Sequence, residues 1–160
     1  YKIKTLNRHK IDIIEILLES VDEIPNSIVL AQAANESGWG TSRFATEFNA
    51  LFGEYTFDIN NGVVPIYRKD EDKYLIKFFP NINESIESYF KNLNTHPAYK
   101  DFRKMRKELR ESNVELNPIT LIKYLKPYAK DKNYIKTIES IVNTNKLIQF
   151  DNIEIFTTRS

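Results

Sequence analysis

The chain has 160 residues, with 23 basic and 22 acidic side chains and a net charge of +1. That balance gives no global field for gripping a polyanion, so nucleic acid is not an expected partner. The sequence holds no cysteine, which excludes disulfides, thiolate metal sites and a cysteine nucleophile. No apolar run approaches the ~18 residues of a membrane span.

No internal repeat or flexible linker divides the sequence, and one domain over 1–160 is expected. Ile11, Ile14, Leu17, Leu18 and Val21 recur at helical spacing and predict a first amphipathic helix over roughly 8–22. Pro25 suits the first turn of a second helix ending near Glu36, and its Ala31, Ala33 and Ala34 allow close packing in a core. Thr41 or Ser42 can cap a short third helix reaching Phe48. Residues 54–79 change character. Asn61-Gly62 sits between β-branched and aromatic residues, the signal of a two-residue hairpin. A second polar turn, "RKDEDK" at 68–73, precedes the strand-like "YLIKFF".

Helical spacing returns with Ile86, Tyr89, Phe90 and Leu93, then with Tyr99, Phe102, Met105 and Leu109. The basic run "RKMRKELR" at 103–110 interleaves with that second set and reads as a solvated face over a buried one. Asn117-Pro118 starts a helix to about Leu125. Asp131 can cap a last helix that buries Ile135, Ile138, Ile141 and Val142. The segment "LIQFDNIEIF" suits an extended strand or ordered arm, with 148–160 forming a C-terminal arm. The expected class is α+β, mostly α, with a small β-hairpin lobe.

Chemistry concentrates in "AQAANESGWGTSR", residues 31–43. Two of the four glycines flank the single Trp there, one residue beyond Glu36–Ser37. A glutamate at a helix carboxyl end meets the negative pole of the helix dipole, which disfavours its ionised form. Nearby aromatic rings that strip water from it act in the same direction. A carboxyl kept protonated near neutrality is what a general acid needs to protonate a glycosidic oxygen. Gly38 and Gly40 let the chain leave the helix sharply and keep space open beside the acid. The bland alternative is a surface glutamate before an ordinary glycine cap.

Residues 31–53, "AQAANESGWGTSRFATEFNALFG", resemble the signature of the bacterial N-acetylglucosaminidases of glycoside hydrolase family 73. Those enzymes carry a catalytic Glu in "ESGWG" and a following "NLFG", met here as Asn49 to Gly53 with one residue inserted. "ESIESYFKNLNTHPAYKDFRKMRKEL" at 84–109 resembles the Bax branch of that superfamily, and "YLKPYAKDKNYIKTIESIV" at 124–142 resembles the family's "YATDPxY" region. The resemblance is strongest over 25–142. It implies a lysozyme-like fold, with a saccharide cleft between a helical and a β lobe. It also implies an endo-β-N-acetylglucosaminidase acting on peptidoglycan or a related N-acetylglucosamine polymer in the cell envelope. Glu36 would be the general acid.

Family members commonly place a second acid in the first strand of the long hairpin, and "VVPIYR" has none. Asp70, Glu71 and Asp72 follow in the turn, and Glu71 is chosen for its reach; Glu54 directly follows the "LFG" segment. Trp39, Tyr55 and Tyr128 are candidates to meet sugar, with Asn49, Phe52 and Glu54 beside them as further substrate-binding candidates. Tyr128 matches a functional tyrosine of the family. His9 and His96 lie apart without a metal-binding pattern, and neither metal nor cofactor is expected. A monomer is expected. The rival readings are a lytic transglycosylase on the same fold and a non-catalytic envelope saccharide-binding module.

Overall fold

The structure is a computed structural model that describes residues 9–65 and 73–152. Among these residues the helices are α1 (Lys10–Ser20), α2 (Asn26–Ser37), α3 (Arg43–Phe48), α4 (Ile82–Thr95), α5 (Lys100–Glu111), α6 (Pro118–Ile122) and α7 (Tyr134–Thr144). Three short strands, β1 (Tyr55–Thr56), β2 (Gly62–Val63) and β3 (Leu75–Lys77), lie between α3 and α4. The chain is therefore mostly helical with a small antiparallel sheet, the α+β class its sequence predicts. Among the described residues no helix is long and apolar enough to cross a membrane.

Ile28 and Ala31 of α2 are buried against a cluster that includes Leu93, Phe102, Leu121, Leu125, Ile138 and Val142. Helix α2 begins one residue after Pro25, whose carbonyl accepts the amides of Ile28 and Val29. Its first turn is also capped from far along the chain. Asp151 Oδ1 accepts the Ser27 amide at 2.6 Å, and Oδ2 accepts the Ser27 hydroxyl at 2.8 Å. The described part of the predicted arm is consequently no strand: Leu147–Phe150 is a 3-10 turn that brings Asp151 to α2. Ser42 caps α3 through the Ala45 amide, and Asn117 caps α6 through the Thr120 amide. The predicted helix to Leu125 ends as α-helix at Ile122 and tightens into a 3-10 helix over Lys123–Tyr128. Asp131 does not cap α7 directly but accepts the Asn133 amide in the turn before it.

The apolar stripe of α1 faces outward, with Ile11 70% and Leu18 66% exposed. Helix α1 carries apolar residues on several sides, and Ile13 and Ile16 are the ones turned partly inward, towards α4 and α5. The basic run on α5 is not simply a solvated face: Arg106 is fully buried and Arg103 nearly so. Arg106 donates to the carbonyls of Glu19 in the last turn of α1 and of Asp22 and Glu23 beyond it, and Arg103 donates to those of Leu93 in the last turn of α4 and of His96 just after it. Both guanidinium groups satisfy carbonyls that a helix end leaves without partners.

Asn61-Gly62 makes no two-residue hairpin. Strand β3 lies between β1 and β2, pairing Tyr55 with Ile76 on one side and Val63 with Ile76 on the other. Asp58 captures the Asn60 amide and the Asn61 side chain in a 3-10 turn, which diverts the chain before it can fold back on β1. Gly62 has extended backbone, and an added Cβ would stand 2.6 Å from Leu75 Cβ and from Thr56 Cγ2. Its small size serves close packing in the sheet, not a turn.

Candidate active site

Glu36 lies in the last turn of α2, where the sequence predicts it. The helix stops because Gly38 takes the left-handed conformation (φ 58°) and its amide returns to the Ala34 carbonyl. Trp39 and Gly40 follow with φ of 57° and 76°, so three consecutive residues occupy a region that side chains resist. The buried Ser37 hydroxyl donates to the Ala33 carbonyl and accepts the Gly40 amide, and the Ser42 amide returns to the Ser37 carbonyl. These bonds hold the strained reversal and launch α3. At the far end of α3, Asn49 is also left-handed (φ 53°), and its amide side chain donates to the Phe79 carbonyl beyond β3. The chain then passes the acid as Ala50 to Gly53. A Cβ added to Gly53 would lie 3.2 Å from Glu36 Oε2.

Burial raises the Glu36 pKa above the ordinary carboxylate value. Two neutral donors oppose that effect, the Asn35 amide on Oε1 at 3.1 Å and the Tyr134 hydroxyl. Behind them stands a bonded aromatic wall. Gln32, one turn before Glu36, donates to the Tyr134 hydroxyl at 2.6 Å and accepts from the Tyr89 hydroxyl at 2.6 Å. Phe52 stacks on Tyr89 with ring centroids 4.1 Å apart, and Tyr128 lies parallel to Tyr134 at 5.7 Å. Burial and the Glu36 carboxylate hold Tyr134 well above the usual phenol range. Tyr99, which feels both Glu54 and Glu36, is pushed up to about 12, chiefly by burial.

Glu54 is the other half-buried carboxylate beside this wall. Its Oε2 accepts the Ser88 hydroxyl at 2.9 Å, and Ser88 Oγ in turn accepts from Lys77 Nζ at 2.7 Å. Its backbone carbonyl accepts the Lys77 amide at 2.8 Å, which fixes the residue to β3. Its Oε1 is buried and has no hydrogen-bond partner among the described residues. Burial raises its pKa, against the Ser88 hydrogen bond and the Lys77 charge.

The predicted site residues divide by place. Phe52, 2% exposed, belongs to the wall, and its carbonyl accepts the Tyr128 hydroxyl at 2.8 Å. Asn49 anchors the β region. Tyr55 is exposed and pairs with Tyr74, ring centroids 4.5 Å apart. Trp39 is 62% exposed and lines an apolar groove of about 710 Å³ with Val29, Ala33, Leu51 and Phe150. Glu71, with Asp70 and Asp72, lies outside the described residues. Sequence reasoning missed Tyr134, Gln32 and the Ser88–Lys77 anchor. A signal existed for two of them: Gln32 precedes Glu36 by one helical turn, and Tyr134 closes the "YAKDKNY" match.

A half-buried glutamate at a helix end thus stands beside the passing Ala50–Gly53 segment, on a mostly helical fold with a small antiparallel sheet. The chain belongs to the glucosaminidase family: residues 14–147 match the model described as mannosyl-glycoprotein endo-beta-N-acetylglucosaminidase, a glycoside hydrolase family. It is similar to Protein bax of Escherichia coli (strain K12), 40% identical over 131 residues. That match covers 81% of this chain and 46% of the relative, so the chain spans about half the relative's length. The fold is that of the catalytic domain of the autolysin Auto from Listeria monocytogenes (TM-score 0.58, 19% identity, 94% of this chain and 100% of that one). It also matches an N-acetylmuramoyl-L-alanine amidase from Staphylococcus aureus (TM-score 0.63, 21% identity), over 96% of this chain and 48% of that one. The expected lysozyme-like architecture is thereby met.

Proposed function

We propose that the chain is an endo-β-N-acetylglucosaminidase that hydrolyses β-1,4 bonds of peptidoglycan, or of a related N-acetylglucosamine polymer, in the cell envelope. The observation that carries this reading is the setting of Glu36. It is a carboxyl whose burial favours the protonated form, and its hydrogen-bond partners are neutral, Asn35 and Tyr134. Such a group gives its proton to the glycosidic oxygen as the C1–O bond breaks, which makes the departing sugar a neutral alcohol. Family membership supports the sugar class. Trp39 and Tyr55 expose aromatic rings on which the apolar face of a pyranose can stack, while Asn49, Phe52 and Tyr128 hold the chain segment that passes the acid. Glu71 is a candidate for a second acid. The protein acts as a monomer without metal or cofactor in this reading.

Product analysis tests it. Peptidoglycan digested with the protein, reduced with borohydride and examined by mass spectrometry should carry N-acetylglucosaminitol ends. Muramitol ends, anhydro-sugar ends or an undigested sacculus would each contradict the proposal.

A further inference from the structure

Among the described residues two half-buried carboxylates stand beside the tyrosine wall, and their surroundings differ in charge. Glu36 meets neutral donors. Glu54 is tied through Ser88 to an ammonium, Lys77 Nζ, which also sits over the Phe79 ring at 4.8 Å from its centroid. Lys77 and Ser88 line an open groove of about 670 Å³ between β3 and α4. Glu54 adjoins Gly53, the residue packed on Glu36, so its backbone is one Cα step of about 3.8 Å from that contact. Its Oε2 is engaged by Ser88. Its Oε1 has no partner among the described residues. A buried acceptor without a donor is costly in a resting protein, and such groups ask for a functional account.

Resting on the reading of Glu36 as acid, we propose that Glu54 is the catalytic base of the pair: its Oε1, which has no partner among the described residues, takes a proton from the attacking water. The step balances. Water oxygen forms a bond to C1 as its proton passes to Glu54 Oε1. The C1–O bond to the leaving sugar breaks, and that oxygen takes the Glu36 proton. Glu54 ends neutral and Glu36 ionised, and exchange with solvent resets both. Burial raises both carboxyls, and the cation that reaches Glu54 through Ser88 is what distinguishes their settings. The charged and titratable groups facing Glu54 are Lys77 from β3, Tyr89 from α4 and Tyr99 from the turn Pro97–Tyr99, and only Lys77 carries a cation. Direct attack by water inverts C1, whereas attack by the substrate's own acetamido oxygen retains it.

The test uses Glu54→Gln, Glu71→Gln, Glu54→Ala and Lys77→Met on one soluble glycan, with folding checked by thermal melting. Glu54→Gln should lower kcat by about 10²-fold or more, a loss on the scale of general-base catalysis. Formate should restore part of the activity of Glu54→Ala, and proton NMR of the first product should show the inverted anomer. In Lys77→Met the acid limb of the kcat profile should move to higher pH, because losing the cation raises the Glu54 pKa. Wild-type turnover in folded Glu54→Gln, a retained anomer, no formate rescue, or a loss confined to Glu71→Gln would each overturn the assignment. If Glu36→Gln is inactive in the same assay while Glu54→Gln is not, the base assignment fails and the acid stands. If Glu36→Gln is fully active, the reading of the acid itself fails.

Discussion

The backbone of Gly53 lies against the Glu36 carboxylate so closely that a methyl group on the glycine would stand 3.2 Å from Oε2. The same glycine has φ of 60°, so two constraints act on one position. Gly53→Ala should cost about 1–2 kcal/mol from the left-handed backbone alone, and push the acid out of place as well. Urea unfolding and turnover measure the two effects. A variant as stable and active as wild type would show that the contact is loose.

Tyr134 gives Glu36 a hydrogen bond that favours its ionised form. Removing the hydroxyl in Tyr134→Phe therefore raises the Glu36 pKa, and the basic limb of the kcat profile should move to higher pH. Tyr128→Phe gives a contrast, because its hydroxyl serves the Phe52 carbonyl. It should lower turnover more than stability, at about 1 kcal/mol for the lost bond, and leave the basic limb in place. Identical pH profiles for Tyr134→Phe and wild type would remove Tyr134 from its positioning role.

Glu36 also makes stability depend on pH. Its folded pKa is raised, so its contribution is fully present below the unfolded value and is lost as pH rises through the folded value. Glu36→Gln carries no such cost. The Tm of Glu36→Gln should be close to that of wild type at pH 4 and rise above it by pH 8. A Tm difference that shrinks across that interval would contradict the burial argument.

Arg106 is fully buried and donates to three carbonyls at the end of α1 and just beyond it, with its Nε 3.4 Å from Asp22 Oδ2. Arg106→Met leaves these acceptors without a donor and should cost about 3–5 kcal/mol, the scale for breaking a buried pair. Arg106→Lys should recover only part, since one ammonium cannot span the same fork. Chemical denaturation measures both variants, and a loss below about 1 kcal/mol would place Arg106 among dispensable surface charges.

What was legible in the sequence depended on local chemistry. The ends of α2 and α3, and the proline start of α6, follow from Gly38, Ser42 and Asn117-Pro118, which act within one turn. The position of Glu36 followed with them. Long-range choices were not legible. Nothing near Asn61-Gly62 tells that β3 will take the place between β1 and β2, or that Arg106 will turn inward to carbonyls 83 to 87 residues away in sequence. In α1, apolar residues on several sides left the buried face to be chosen by α4 and α5. In the site, the family resemblance points to Tyr128, and only the fold shows that the Tyr134 hydroxyl meets the acid while Tyr128 serves the Phe52 carbonyl.

The central claim is that Glu36 supplies the proton for glycosidic cleavage, and the most direct measurement is the rate of reducing-end release from purified peptidoglycan by Glu36→Gln. The side chain keeps its size and loses only the transferable proton, so circular dichroism should match wild type. That rate should fall by about 10²-fold or more, the scale of acid catalysis. A folded Glu36→Gln protein that releases reducing ends at more than half the wild-type rate would contradict it.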